Sequence, residues 1–198
     1  MQNTDEIWSM VEEHTPDLCA MADIVWETPE LNYQEFQSAS RHAEMLHNKG
    51  FRVTENVGNI PTAVMGEAGE GGPVIAFLGE YDALPGLSQV ANIAEPQEVE
   101  PGGHGHGCGH NLLGSAAMLA AAGLKDWLEK TGTPGRVRYY GCPAEEGGAA
   151  KGFMVRAGAF DDVDAAVTWH PAGVTKVQVA NSLANTRIDF SFTGRSSH

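Results

Sequence analysis

"PVIAFLGEYDALP", residues 73–85, decides how the chain folds. Its first half is a short, unbroken apolar run. A strand with one wet face would alternate apolar and polar residues, so this run suits a central strand covered on both faces. A Gly-rich turn, "GEAGEGGP" (66–73), precedes it and separates it from a second strand, "TAVMGE" (62–67). Before that, "FRVTENV" (51–57) does alternate, as a half-buried strand does.

The flanking segments read as helices. In residues 4–26, Ile7, Met10, Val11, Leu18, Met21, Ala22 and Val25 recur at helical spacing, with Pro16 expected to kink or split the helix. "TPELNYQE" (28–35) is a turn. "EFQSASRHAEMLHNKG" (35–50) is a second helix, with Phe36, Ala39, Ala43 and Leu46 on one stripe and Gly50 as its C-cap. The segment from Gly86 to Gly103 lacks periodicity and reads as a long loop. Asn111 to Lys130 is a helix rich in Ala and Gly, suited to close packing on a sheet. "RVRYYGCPAEEGG" (136–148) is a strand ending in a turn, "AAKGFMVRAGAF" (149–160) a short helix, and "VDAAVTWHP" (163–171) another strand. "TKVQVAN" (175–181) and "NTRIDFSFTG" (185–194) read as antiparallel strands. The alternation through residue 170 predicts an α/β fold, a sheet covered by helices.

Composition narrows the function. Of 198 residues, 42% are apolar, which is ordinary for a folded domain. The formal charge of −14 argues against a nucleic-acid partner and against a membrane surface. The run of about eighteen apolar residues that a membrane helix needs does not occur. The acidic N-terminus, "MQNTDEIWSMVEEH", does not resemble a secretory signal. Three cysteines, an odd number, argue against a disulfide framework and for a reducing cytoplasm.

Chemistry-bearing residues gather where strands and loops meet turns. "GGHGHGCGHNLLG" (102–114) supplies Cys108 and His110, "PAEEGG" supplies Glu145 and Glu146, and "TWHP" supplies His170. In open α/β sheets, functional side chains collect at the carboxyl ends of strands. Cys, His and carboxylate together suit zinc, and also manganese or cobalt. Adjacent glutamates alternate direction in an extended segment. With Glu146 on the ion, Glu145 faces a metal-bound water, and hydrolysis needs that division of labour. Each residue alone has an ordinary reading. His104 and His106 read as solvated loop residues, Cys19 and Cys142 as core, and Glu145–Glu146 as an exposed acidic pair. Their combination, in order and each at an element end, points to a metal site.

"GEYDALPG", "GHGCGHNLLG", "PAEEGGAAKGFM", "TWHP" and "FTGRSSH" together resemble the metal-dependent amidohydrolase family of aminoacylases and carboxypeptidases, in the branch of hippurate hydrolase and the auxin-conjugate hydrolases. The resemblance runs along essentially the whole chain. It implies a zinc-exopeptidase-like mixed sheet flanked by helices, with two divalent ions, Zn or Mn, per full-length site. By that resemblance Cys108 bridges the ions, and His110, Glu146 and His170 are further ligands. Glu145 is the general base, and Asp82 orients a ligand from behind. Glu80 stands where some branches carry a metal-binding His and is not counted as a ligand. His198 matches a lid-domain His that reaches the partner's site to stabilise the oxyanion. Residues 1–181 would be the N-terminal part of the catalytic domain, and 182–198 the start of a lid and dimerisation domain cut short at His198. The reaction implied is hydrolysis of the amide between an aromatic acyl group and an amino acid, p-aminobenzoyl-glutamate being one such substrate. The chain would pair, with itself or a related subunit, through the lid. Two rivals remain: a thiol hydrolase with Cys108 as nucleophile and His110 or His170 as base, and a non-catalytic metal- or partner-binding subunit.

Overall fold

The computed structural model of the protein describes residues 4–177, 183, 184, 186 and 188–198. The chain runs α1 (Thr4–Trp26), α2 (Phe36–Asn48), β1 (Arg52–Glu55), a short 3-10 turn (Val57–Asn59), β2 (Val64–Glu70) and β3 (Val74–Glu80). It continues with α3 (His110–Thr131), β4 (Gly135–Cys142), α4 (Ala150–Arg156) and β5 (Ala165–Val167). The five strands form one mixed sheet in the order β1-β2-β4-β3-β5. β1 and β2, and β2 and β4, pair antiparallel. β3 runs parallel to both β4 and β5, so these three strands end at the same edge.

The expected central strand lies inside the sheet because both of its faces find apolar partners. Phe77 packs toward the cluster made by α1, α2 and α3, where Leu18, Val25, Leu46, Met118 and Tyr139 are buried. Ala76 and Leu78 pack toward the opposite cluster with Ile60, Tyr140 and Met154, which α4 closes. Two-sided covering is what a continuous apolar run anticipates. Near the start of α3, a side chain at Gly114 would collide with the Glu80 carbonyl and the His42 ring, so this glycine lets the helix lie directly on β3.

Several expectations give way. α1 is one uninterrupted helix through Pro16. Pro16 and Glu12, whose carbonyl loses its partner, both lie outside the buried core, where water can satisfy that oxygen. Ile7 and Val11 are not in the core; they line an open apolar groove with Trp8 and Trp127. Phe36 is 54% exposed, because the inner face of α2 is taken by Ser38, Ala39, His42, Ala43 and Leu46. Cys19 is exposed, whereas Cys142 is buried as expected. Of the two late strands, residues 175–177, 186 and 188–194 have no regular structure, while 178–182, 185 and 187 lie outside the described residues. Val177, Phe190 and Phe192 are largely exposed there. Among the described residues, no helix is long and apolar enough to cross a membrane.

An ionic clasp ties β4 to the loop before β5. Arg138 donates from Nη1 and Nη2 to the two carboxylate oxygens of Asp162 at 2.6 and 2.7 Å, and from Nε to Glu67 at 2.6 Å. The guanidinium holds the Asp162 carboxyl down to about 2. An unfolded aspartate titrates near ~3.9. Its native pKa being depressed, Asp162 contributes stability above that value, and the contribution is lost as pH falls through about 2. Asp162→Asn is therefore expected to lower the thermal midpoint near neutral pH, with the gap to wild type closing on acidification. Melting curves across that range are the check, and a gap indifferent to pH would contradict it.

Candidate metal centre

The parallel strands β3, β4 and β5 bring their carboxyl ends together, and the N-terminus of α3 arrives at the same edge. Gly109, at φ 76°, takes the left-handed conformation that starts α3 with His110 as its first residue. The segment after β3 is anchored to the long loop by a two-bond bridge between Leu84 and Gly105.

His110 is fully buried. Its Nδ1 lies 2.9 Å from Asp82 Oδ1, and its Nε2 faces the strand ends. There Nε2 stands 3.0 Å from Glu80 Oε2, 3.8 Å from Glu146 Oε1 and 3.9 Å from Glu145 Oε2. His170 Nε2 reaches the same place, 3.1 Å from Glu80 Oε2 and 3.8 Å from Glu145 Oε2. Two sets of donor atoms each lie within 4.8 Å of one another: Cys108, His110 and His170, and Glu80, His110, Glu145 and His170.

The orientation of these atoms tests whether a cation fits. Glu80 Oε2 and His110 Nε2 are both buried and, though close, form no hydrogen bond in the observed geometry. Two buried polar atoms left this way are costly unless something between them takes their lone pairs. The donor set of thiolate, imidazole and carboxylate suits a borderline divalent ion. The residues present fit the group.

The electrostatics point the same way. Burial, together with Glu146, Glu145 and Glu80, pushes the Cys108 thiol up to about 11. Burial opposes charging His110, but its hydrogen bond to Asp82 and the carboxylates of Glu80 and Glu146 outweigh that and raise its pKa. Lys151, from the first turn of α4, pairs with the other oxygen of Glu80 and so holds that carboxylate in place. Asp82 serves two neighbours, since its Oδ2 also accepts the Glu146 backbone N–H at 2.9 Å.

Cys108, His110, Glu145 and His170 are therefore brought together. Glu146 lies at the same edge, with Oε1 3.8 Å from His110 Nε2, but it belongs to neither donor set, whereas Glu145, expected as the base, belongs to one. His198 is exposed and belongs to neither donor set. His104 is exposed, as a solvated loop residue should be. His106 is not: it is buried beneath the loop with Nε2 3.0 Å from the Val25 carbonyl, and burial pushes its pKa down to about 4. Glu80 is the residue sequence reasoning set aside. It ends an apolar strand at the edge where the other donors collect, and that signal would have found it.

Comparison with known proteins gives the family. The sequence profile of peptidase family M20/M25/M40 matches residues 76–190, more than half the chain. A p-aminobenzoyl-glutamate hydrolase subunit from Escherichia coli (strain K12) is 55% identical over 178 residues, covering 90% of this chain and 37% of that protein. The mouse Xaa-Arg dipeptidase is 30% identical, covering 95% of this chain and 42% of its own. Among solved structures, a Bacillus subtilis dinuclear metal-binding peptidase of the M20 family superposes with a TM-score of 0.65 at 27% identity, over 78% of this chain and 42% of that one. The chain spans less than half the length of these relatives.

Proposed function

Because this chain belongs to peptidase family M20/M25/M40, we propose that it carries the ligand-bearing part of a metal-dependent hydrolase that cleaves the amide bond of an N-acyl amino acid. An aromatic acyl group, as in p-aminobenzoyl-glutamate, is the substrate class favoured by the relative that is 55% identical. The observation that carries the reading is the convergence of Glu80 Oε2, His110 Nε2 and His170 Nε2 on one point, the first two buried without a hydrogen bond.

In this reading Cys108, His110, Glu146 and His170 hold two divalent ions, zinc or manganese, and Glu80 joins them from the end of β3. When bound, the ions supply Lewis-acid polarisation of the amide carbonyl and bring the pKa of water to about 7. Glu145 takes the proton from the attacking water and returns it to the leaving amine. Its side chain is 35% exposed, so it can meet a substrate entering from solvent. Asp82 keeps the His110 ring in one orientation, with Nε2 free for the ion. Residues 1–181 belong to the catalytic domain, and 182–198 begin a lid through which the chain pairs with a second copy or a related subunit. His198 would act from that lid on the partner's site, stabilising the oxyanion. That the Escherichia coli relative is itself one subunit of its hydrolase supports such pairing. Three free thiols support a reducing, cytoplasmic setting.

The thiol-hydrolase alternative fares worse. A nucleophilic cysteine needs a cationic neighbour to form its thiolate. His110 and His170 do lie within 4.8 Å of the Cys108 sulfur, but burial and the carboxylates of Glu146, Glu145 and Glu80 outweigh them and push the thiol up.

Elemental analysis of the full-length protein tests the proposal. About two ions per chain are expected, and Cys108→Ala should weaken metal retention by more than about ten-fold. A full-length protein that turns over substrate equally well after exhaustive chelation would refute the proposal.

A further inference from the structure

We propose that Glu35 is a positioning residue: from the N-terminus of α2 it holds the loop that presents Glu145 and Glu146. The inference rests on the hydrolase reading above and deepens it.

The loop between β4 and α4 is built under strain. Ala144, one residue before Glu145, is fully buried at φ 53°, and Ala149, at the loop's end, has φ 51°. Residues with a Cβ keep such left-handed conformations only where their surroundings over-determine them. Here the surroundings are one short turn more than a hundred residues earlier in the chain. The Ala144 N–H donates to Glu35 Oε1 at 2.9 Å. At the far side, the Tyr33 hydroxyl donates to the Gly148 carbonyl at 2.7 Å. The Tyr33 ring lies so close to Gly148 that an added Cβ would stand 2.5 Å from its Cε2. Within the loop, the Gly148 N–H donates to the Ala144 carbonyl at 3.0 Å. Tyr33 and Glu35 thus clamp both sides of the segment, and Asp82 holds Glu146 between them.

Glu35 has no comparable use in its own helix. It occupies the N-cap position of α2, yet its side chain caps nothing. That task falls to Glu30, whose carboxylate accepts the Gln37 and Ser38 N–H groups at 3.0 and 2.9 Å and the Ser38 hydroxyl at 2.9 Å. Glu35 instead turns inward, completely buried; beyond Ala144, its carboxyl has only its own backbone N–H and the Thr62 hydroxyl close by, and Oε2 makes no hydrogen bond of good geometry. Burying a carboxyl group this completely, with one oxygen poorly partnered, is unfavourable for folding alone. The contact it makes aims the two glutamates. The same turn reaches the other side of the site, because the Glu30 carbonyl accepts the Ala83 N–H at 2.8 Å, next to Asp82.

The test uses the full-length protein loaded with Co2+, whose visible absorption reports ligand geometry, together with steady-state turnover. Glu35→Leu, which removes the acceptor at similar size, is expected to weaken Co2+ binding about 10- to 100-fold, to change the absorption spectrum, and to lower kcat more than it raises KM. Glu35→Gln keeps a carbonyl oxygen for Ala144 and should restore the wild-type spectrum and affinity. Tyr33→Phe, a milder change at a half-buried residue, should shift the spectrum in the same direction, and it carries the test if Glu35→Leu does not fold. A folded Glu35→Leu with wild-type Co2+ affinity, spectrum and kcat would overturn the role of Glu35, as would an unshifted spectrum in Tyr33→Phe. Wild-type protein that takes up no Co2+ would instead overturn the metal reading on which this inference stands.

Discussion

Glu145→Ala in the full-length protein is expected to lower turnover by about 10²- to 10⁴-fold while leaving the metal content unchanged. The size follows from losing the group that moves the proton, since a positioned general base contributes that much to a hydrolysis. The retained metal follows from the proposed division of labour, in which Glu146 binds and Glu145 shuttles. The geometry makes this a sharp experiment. Glu145 Oε2 is 3.9 Å from His110 Nε2 and 3.8 Å from His170 Nε2, near enough to act as a ligand itself. Glu146 Oε1 is equally near His110, at 3.8 Å. Kinetics and elemental analysis on the same preparation separate the roles. Loss of metal in Glu145→Ala would make it a ligand, and unchanged turnover would remove it from the mechanism.

Asp82→Ala should weaken metal binding by about 10- to 100-fold, the range for groups that orient a ligand from behind. Asp82 is 1% exposed and serves two partners at once. Its Oδ1 fixes the His110 ring through Nδ1, and its Oδ2 holds the Glu146 backbone. Removing it frees one proposed ligand to rotate and unpins the loop of another. It also leaves a half-buried N–H without its acceptor, at a cost of about 1–3 kcal/mol of stability. Isothermal titration with Zn2+ and a thermal melt give the two numbers. Wild-type affinity in a destabilised variant would mean that Asp82 supports the fold and not the centre.

Residue by residue, local pattern carried much of the fold. The unbroken run 74–79 becomes the interior strand β3, and the alternating run 51–57 becomes the edge strand β1. Helix ends fall close to the expected positions, with Gly50, at φ 80°, just past α2. Pattern failed where a neighbour from elsewhere in the chain decides the environment. Nothing in "GGHGHGCGH" tells His106 from His104, yet only His106 lies under α1 and meets the Val25 carbonyl. Phe36 has the spacing of a core residue, but it occupies the first turn of α2, ahead of the face that touches the sheet. Cys19 likewise sits beside the buried Leu18 on the outer side of α1.

The candidate site divides along the same line. Strand ends and turn chemistry, read along the chain, were enough to single out Cys108, His110, Glu145, Glu146 and His170, because periodicity and chain reversal are local properties of the backbone. Which donor atoms meet is a property of the sheet order. β4 lies between β2 and β3, with β5 on the far side of β3, so segments remote in sequence end side by side. That order brings Glu80 Oε2 between two histidines, turns Lys151 onto the same carboxylate, and sets Glu35 against Ala144 across the chain. Burial and partner distance depend on the packed whole, and no stretch of sequence contains them.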